Sequence, residues 1–304
     1  MIGAYLDAFV PPFGLLLLGA FLKHRLLPND VVWAGLEKLI FWVLLPSLLV
    51  GAISGVEMGQ VPLLGMMLAI WVGLGLGTVL SVLLSRAFRQ DHPGMTSVLQ
   101  GGIRFNNLMG FAIAGAIMGP AGLALGAVAT GLIVPFVQFV TTIAFAIGRP
   151  GRLRLLPLLR QVFLNPLIVA CIVGFAVAML GGLPHGVQPL IRSLGQATVA
   201  LGLLAVGAAL SLGALKDRLP LQLVTSGLKL LVVPAITYAM CLLLGLEQMP
   251  TAMAVLFMAL PTAATSYVMA RAMGGDAPLM AAITTIEHIL AAATLPFWIA
   301  VILR

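Results

Sequence analysis

The chain has 304 residues, of which 61% are hydrophobic and 8% are charged, and its mean hydropathy is +1.15. Soluble domains carry about 25% charged residues, so this composition excludes a soluble globular protein and predicts a polytopic, all-α membrane protein that contacts lipid. The net charge of +7 would suggest nucleic acid as a partner of a soluble protein. In a membrane protein the basic residues set the orientation instead, so no nucleic-acid partner is expected.

Apolar runs predict ten membrane-spanning helices joined by short connections. The first run is followed by Lys23, His24 and Arg25 and has no basic segment before it, which favours a first span over a cleaved signal peptide. The predicted spans cover residues 5–22, 33–54, 61–85, 95–118, 121–147, 162–180, 190–212, 219–245, 250–273 and 278–302.

Basic residues lie mainly on one side of the predicted membrane. The side of the termini has Arg192 and Arg304, whereas the opposite loops contain twelve basic residues. Basic loops are cytoplasmic, so both termini are predicted to be non-cytoplasmic and residues 148–161 to form a cytoplasmic linker. The twelve are Lys23, Arg25, Lys38, Arg86, Arg89, Arg149, Arg152, Arg154, Arg160, Lys216, Arg218 and Arg271.

The linker divides the spans into two sets of five, residues 1–147 and 162–304. Proline motifs recur between the halves: Pro62 and Pro220 are 158 residues apart, and Pro135 and Pro296 are 161 apart. An odd number of spans in each half places the halves in opposite orientations. Inverted repeats of this kind are typical of secondary transporters, whose substrate site lies near the membrane midplane where helices are discontinuous.

Span four contains the polar sequence Gln-Gly-Gly-Ile-Arg-Phe-Asn-Asn-Leu-Met-Gly at residues 100–110. An arginine at bilayer depth is tolerated only when it faces protein, water or a ligand, so we expect a broken helix that lines a polar site. Span nine offers a counterpart, although prolines and hydroxyl residues also occur in ordinary kinked spans. The predicted substrate-binding residues are Arg104, Asn106, Asn107, Thr262, Thr265, Ser266 and Tyr267, with Pro261, Asn165 and Pro166 as helix-break residues.

Three charged residues lie at a similar depth. Arg104, Lys229 and Glu287 lie nine residues after Met95, Pro220 and Pro278, at or next to the starts of their spans, which corresponds to about 13 Å of helix. Arg104 is expected to bind a carboxylate with its guanidinium fork or to pair with Glu287. Lys229 either balances charge in place of a coupling cation or extends toward the cytoplasmic surface.

Glu287 is either a proton carrier or a permanent ion-pair partner, and its neighbour His288 is a coupling residue or a buried hydrogen-bonding imidazole. No cluster of ligands at metal-binding spacing, phosphate-binding loop or nucleophile–base pair is recognised in the sequence. We therefore expect no metal, no cofactor, no catalytic residue and no enzyme activity. Cys171 and Cys241 lie within apolar spans and are interpreted as buried hydrophobic residues.

Taken together, several motifs resemble the bacterial branch of the auxin efflux carrier family, along essentially the whole chain. They are residues 41–46 (Phe-Trp-Val-Leu-Leu-Pro), residues 104–107 with Gly110, the block 261–276, residues 279–283 and residues 294–297. The resemblance implies ten helices in two inverted repeats, with broken helices crossing in spans four and nine. It also implies a scaffold of spans one, two, six and seven, a transport domain of spans three to five and eight to ten, and a homodimer formed through the scaffold.

The resemblance further implies an organic-anion substrate and a location in the bacterial inner membrane. Residues 265–276 are most similar to members described as malonate carriers, which makes a small dicarboxylate the leading substrate. Plant members have an Asn-Pro break in span four, where this chain has Arg104, and their cytoplasmic loop is much longer. The resulting hypothesis is an elevator-type transporter with Glu287 as a candidate proton carrier; the alternative is an uncoupled or gradient-driven efflux carrier for an auxin-like aromatic carboxylate.

Overall fold

The structure is a computed structural model that describes residues 2–56, 61–148, 160, 164–211, 213, 215 and 218–303. Every element of regular secondary structure within these residues is a helix, which confirms the all-α prediction. The predicted linker 148–161 lies outside the described residues, except for Gly148 and Arg160. Several basic residues used to orient the chain also lie outside them: Arg149, Arg152, Arg154, Lys216 and Arg304.

The described helices include both α-helices and π-helical segments. Two of the spans contain a short π-helical segment, at Ile40–Leu44 and at Leu228–Val232. The α-helices are α1 (Ile2–Arg25), α2 (Asp30–Leu39), α3 (Leu45–Ile53), α4 (Leu63–Ala87), α5 (His92–Ile103), α6 (Asn107–Ile147), α7 (Pro166–Met179), α8 (Gln188–Ala209), α9 (Leu219–Gly227), α10 (Val233–Leu243), α11 (Gln248–Ala259), α12 (Thr265–Met273) and α13 (Ala277–Ile302). α6 consists of two helices that meet at Gly119, whose backbone is not helical (φ 58°, ψ −145°).

Within the described residues, six stretches of helix are long and apolar enough to cross a membrane, and α7 and α11 are shorter apolar helices. The protein is therefore a multi-pass membrane protein, as the composition predicts. The arrangement of ten spans in two inverted repeats stays a prediction. The six stretches are Asp30–Ile53, Leu63–Ala87, His92–Ile147, Gln188–Ala209, Leu219–Leu243 and Ala277–Ile302.

The chain forms two compact units. The first consists of residues 1–63, 108–134 and 163–209, and the second of residues 64–107, 135–162 and 210–304. The helices predicted as spans one, two, six and seven belong to the first unit. Those predicted as spans three, eight, nine and ten belong to the second, and spans four and five are divided between the two. The predicted grouping into repeats, and into scaffold and transport domain, stays a prediction.

In the first unit, α1 and α8 approach each other so closely that backbone touches backbone. A methyl group added to Gly19 would overlap the carbonyl of Leu204, and one added to Gly207 would overlap the carbonyl of Leu16. Lipid gives helices no hydrophobic reason to associate, so small residues that permit such close van der Waals contact hold membrane helices together.

In the second unit, a buried apolar cluster packs α5, α9, α12 and α13 together. Its members are Val98, Leu221, Ala270, Leu279, Met280 and Ile283. Glycines again allow close approach, since Gly102 of α5 faces Ser81 of α4 and Gly77 of α4 faces Val233 of α10. This packing fixes the end of α5 and the start of α12, where the candidate site lies.

Candidate functional site

The helix of span four stops at Ile103 and restarts at Asn107, with Arg104 in an extended conformation (φ −77°, ψ 163°) between them. Two consecutive glycines, Gly101 and Gly102, precede the break and weaken the helix, because glycine loses the most backbone entropy on folding. The amide of Arg104 still bonds to the Gln100 carbonyl over 2.9 Å. Arg104 is therefore the C-cap residue of α5, and its side chain lies at the interruption.

The helix of span nine is also interrupted, between Ala259 and Thr265. Pro261 has no N–H to donate, and it disfavours helical geometry in the residue before it. Leu260 is accordingly extended (φ −66°, ψ 145°). The break thus follows directly from the position of one proline.

The two interrupted segments lie side by side in the second unit. The backbone N–H of Asn106 donates to the carbonyl of Pro261 over 2.8 Å. The hydroxyl of Thr262 donates to the backbone carbonyl of Gln100 over 3.3 Å. The break in span nine thus supplies a backbone acceptor for the N–H of Asn106, as the interior of a membrane requires, and the hydroxyl of Thr262 adds a second bond between the segments.

The guanidinium of Arg104 has neutral partners. Nη2 donates to Thr265 Oγ1 over 3.0 Å, while Nη1 contacts Met269 Sδ at 2.8 Å and Gln100 Oε1 at 3.4 Å. Within the described residues the ion pairs are Lys23–Asp30 and Arg218–Asp276, so the alternative of a salt bridge between Arg104 and Glu287 is not realised. Arg104 is partly exposed. Its positive charge is therefore held by groups that an anion can replace.

Lys229 and Glu287 occupy the two sides of the span-nine break. Both side chains are fully buried, and Lys229 does not extend to the surface. Lys229 Nζ donates to the carbonyl of Met258 over 2.9 Å in the last turn of α11, and Glu287 Oε2 accepts from the amide of Thr262 over 2.7 Å. The positive Lys229 lies at the C-terminus of α11, where the helix dipole is negative. The negative Glu287 binds a backbone N–H beyond the break, which carries a partial positive charge.

Lys229 and Glu287 carry opposite charges on either side of the break, although the ion pairs within the described residues do not include them. The other carboxylate oxygen, Glu287 Oε1, is buried and has no hydrogen bond to any described residue. One oxygen of this carboxylate is therefore fixed, and the other is unused in this structure.

His288 links the break of span four to α13. Its Nδ1 lies 2.7 Å from the carbonyl of Thr284, and its Nε2 lies 3.1 Å from Asn106 Nδ2. A carbonyl only accepts, so Nδ1 carries the hydrogen and Nε2 accepts from the Asn106 amide in a neutral imidazole. Asn107, the first residue of α6, is buried as well.

The hydroxyl residues of span nine have different surroundings. Thr262 and Ser266 are fully buried, with their hydroxyl oxygens 3.3 Å apart, whereas Thr265 is exposed and contacts Arg104. Tyr267 is partly buried and packs against the apolar cluster. The structure therefore brings Thr265 to the guanidinium, places Thr262 and Ser266 behind it, and turns Tyr267 to the core.

The second half of the chain carries a recognisable family pattern. Residues 150–299 match the family model described as membrane transport protein. The match supports the family that the motifs suggest, and it includes the whole span-nine break. A membrane transport family fits the expectation that the chain is not an enzyme. Among curated proteins, none matches the chain.

Two side chains at the candidate site were not predicted from the sequence. Gln100 and Met269 both contact Arg104. Gln100 precedes Arg104 by four residues and Met269 follows Thr265 by four, so each lies on the same helix face as a predicted residue. That spacing is the signal that would have found them. No cluster able to hold a metal ion occurs within the described ranges.

The predicted helix-break residues of span six belong to the first unit. Asn165 accepts from the amide of Leu167 over 2.9 Å and Pro166 is the first residue of α7. Asparagine before the helix and proline at its first position are both favoured at helix starts. These residues therefore begin a helix, and the site contacts described above do not involve them.

Proposed function

We propose that the protein is a secondary transporter of small organic anions, with a dicarboxylate such as malonate as its substrate. The observation that carries the proposal is Arg104, a partly exposed cation without a carboxylate partner among the described residues, at the meeting point of two helix breaks. A buried or half-buried arginine is expensive in a membrane and marks a substrate pathway. The match to a membrane transport family supports the same class of function.

The guanidinium fork matches a carboxylate in bidentate geometry. In the proposed complex the anion replaces the weak contact of the guanidinium to Met269, and Thr265 adds a hydroxyl donor. The start of α6, with Asn106 and Asn107, adds the positive end of a helix dipole. Thr262, Ser266 and Tyr267 complete the proposed site, with Thr262 and Ser266 supporting the backbone that the anion approaches.

Transport is proposed to follow an elevator mechanism in a homodimer of the bacterial inner membrane, with both termini on the non-cytoplasmic side. The moving domain would consist of spans three to five and eight to ten, and the scaffold of spans one, two, six and seven. Arg104, Thr265, Lys229 and Glu287 all belong to one compact unit, which supports a site that moves as a body.

Proton coupling is assigned to Glu287 in this proposal, supported by its burial, its opposite charge to Lys229 and its unpaired Oε1 within the described part of the chain. Protonation would leave Lys229 and Arg104 as uncompensated cations and so strengthen the attraction for an anion. A Glu287→Gln variant is expected to lose accumulation of malonate driven by an imposed pH difference. Accumulation that persists in this variant would remove the coupling role.

Thermal stabilisation of the purified protein by a panel of carboxylates tests the proposed function. Malonate is expected to raise the melting temperature more than acetate or indole acetate, and Arg104→Ala is expected to abolish the shift. Arg271→Ala, which changes an exposed arginine of α12, is the matched control. Stabilisation by indole acetate alone would favour the aromatic carboxylate instead, and equal shifts in the two variants would refute the site.

A further inference from the structure

The side-chain amide of Gln100 lies beside Arg104 in the last turn of α5 and is fully buried. Its Oε1 is 3.4 Å from Arg104 Nη1. A guanidinium has only donors, so the oxygen of the amide must face it and the nitrogen must face elsewhere. The orientation of the amide is therefore decided by the chemistry of its neighbour.

The amide nitrogen, Gln100 Nε2, is buried and has no acceptor among the residues that the structure describes. Buried amide groups are nearly always hydrogen-bonded, because a donor removed from water without a replacement is destabilising. Gln100 therefore presents a buried donor beside Arg104 that can bind an acceptor.

The chemistry around this nitrogen is rich in donors. Arg104 has no acceptor atoms at all, and the hydroxyl of Thr265 already accepts from Arg104 and so has its own hydrogen to donate. A group that completes this set needs acceptor atoms. An ionised carboxylate has two acceptor oxygens on one carbon, which suits two neighbouring donors.

We propose that Gln100 is an anion-binding residue, whose Nε2 donates to one oxygen of a carboxylate while Arg104 holds the other. This assignment rests on the anion-transport function proposed above and adds a residue to its site. Gln100 thus has two contacts in the complex: its oxygen orients the guanidinium and its nitrogen binds the ligand. The side-chain amide of Gln100 thus adds one hydrogen-bond donor to those of the Arg104 guanidinium.

A competing partner for the same nitrogen is Glu287, whose Oε1 is also buried without a hydrogen bond to the described residues. A methyl group built on Gly101, the neighbour of Gln100, would lie 3.5 Å from this oxygen. If Gln100 served Glu287 instead of an anion, its loss would lower the stability of the anion-free protein and leave anion affinity unchanged.

Binding of radiolabelled malonate to the purified full-length protein tests the assignment. Gln100→Met removes both polar atoms at similar length, and the dissociation constant is expected to rise at least about tenfold, the usual effect of one lost hydrogen bond to a charged group. Gln222→Met, at an equally buried glutamine of α9, is the matched control and is expected to stay within about twofold. The melting temperature of anion-free Gln100→Met is expected not to fall, because removal of the unpaired buried donor offsets the loss of the long 3.4 Å contact to Arg104.

Other combinations of affinity and melting temperature would overturn the role of Gln100, the proposed function or both. Wild-type affinity in Gln100→Met, together with lost binding in Arg104→Ala, would overturn the role of Gln100 and leave the proposed function standing. A lower melting temperature with unchanged affinity would also overturn it, in favour of Glu287 as the partner. A wild-type protein that binds none of the carboxylates would overturn both proposals. Should Gln100→Met not fold, Gln100→Asn keeps a buried amide but withdraws the donor, and unchanged affinity in that variant would overturn the assignment.

Discussion

The backbone N–H of Asn106 donates to the carbonyl of Pro261 over 2.8 Å, and this bond joins the interruption of one membrane span to that of another. Both groups lie where a helical hydrogen-bond pattern is interrupted, and this bond pairs them with each other. In a membrane, an unsatisfied backbone group costs several kcal/mol, so each break depends on the other. The site around Arg104 therefore exists only where the two segments meet.

Lys229 and Glu287 should behave as an energetically coupled pair. Lys229→Met leaves a buried carboxylate uncompensated, and Glu287→Gln does the same to a buried ammonium, so each variant is expected to lose about 3–5 kcal/mol of unfolding free energy. The double variant is expected to be more stable than the sum of the two losses by about 0.5–3 kcal/mol. Equilibrium unfolding in mixed micelles measures this coupling. Strict additivity would show that the two charges act independently.

Gly102 is expected to tolerate no side chain. A methyl group at this position would overlap Ser81 Oγ, which is itself fixed by a 2.7 Å hydrogen bond to the Gly77 carbonyl. Gly102→Ala is therefore expected to destabilise the protein by about 1–3 kcal/mol in the same unfolding assay. Gly75→Ala is the control, since nothing lies within 4 Å of its added methyl group. Equal stability of the two variants would contradict the close packing of α4 and α5.

Trp298 is expected to stabilise the π-helical segment that contains Lys229. Pro234 has no N–H for the carbonyl of Leu230, and Trp298 Nε1 donates to that carbonyl over 2.7 Å. Trp298→Phe should therefore cost about 1–3 kcal/mol, because a buried acceptor loses its donor. Pro234→Ala in the same chain supplies a helical N–H and should recover part of the loss. Trp42→Phe, at a tryptophan that is 57% exposed, serves as control; a loss of the same size there would argue against the hydrogen bond.

The helical architecture and the positions of the two interruptions follow from local sequence. A proline fixes the end of α11, and a glycine pair before an arginine and two asparagines accompanies the end of α5. These signals act on the residues beside them, so sequence alone predicts where the helices stop.

The partners of the charged residues could not be predicted in this way. A lysine stem of four carbons can reach the surface or the interior, and only tertiary packing directs Lys229 to the carbonyl of Met258. The contact of Arg104 with Met269 likewise depends on how α12 packs against α5. Hydrogen-bond partners across elements depend on distances that no spacing along the chain encodes.

Malonate uptake into proteoliposomes by Arg104→Ala tests the central claim most directly. If Arg104 holds the anion, the initial rate of uptake should fall to the level of protein-free vesicles, while Arg271→Ala keeps the wild-type rate and both variants elute as folded protein. Undiminished uptake by Arg104→Ala, measured beside separate vesicles that contain active wild-type protein, would contradict the account.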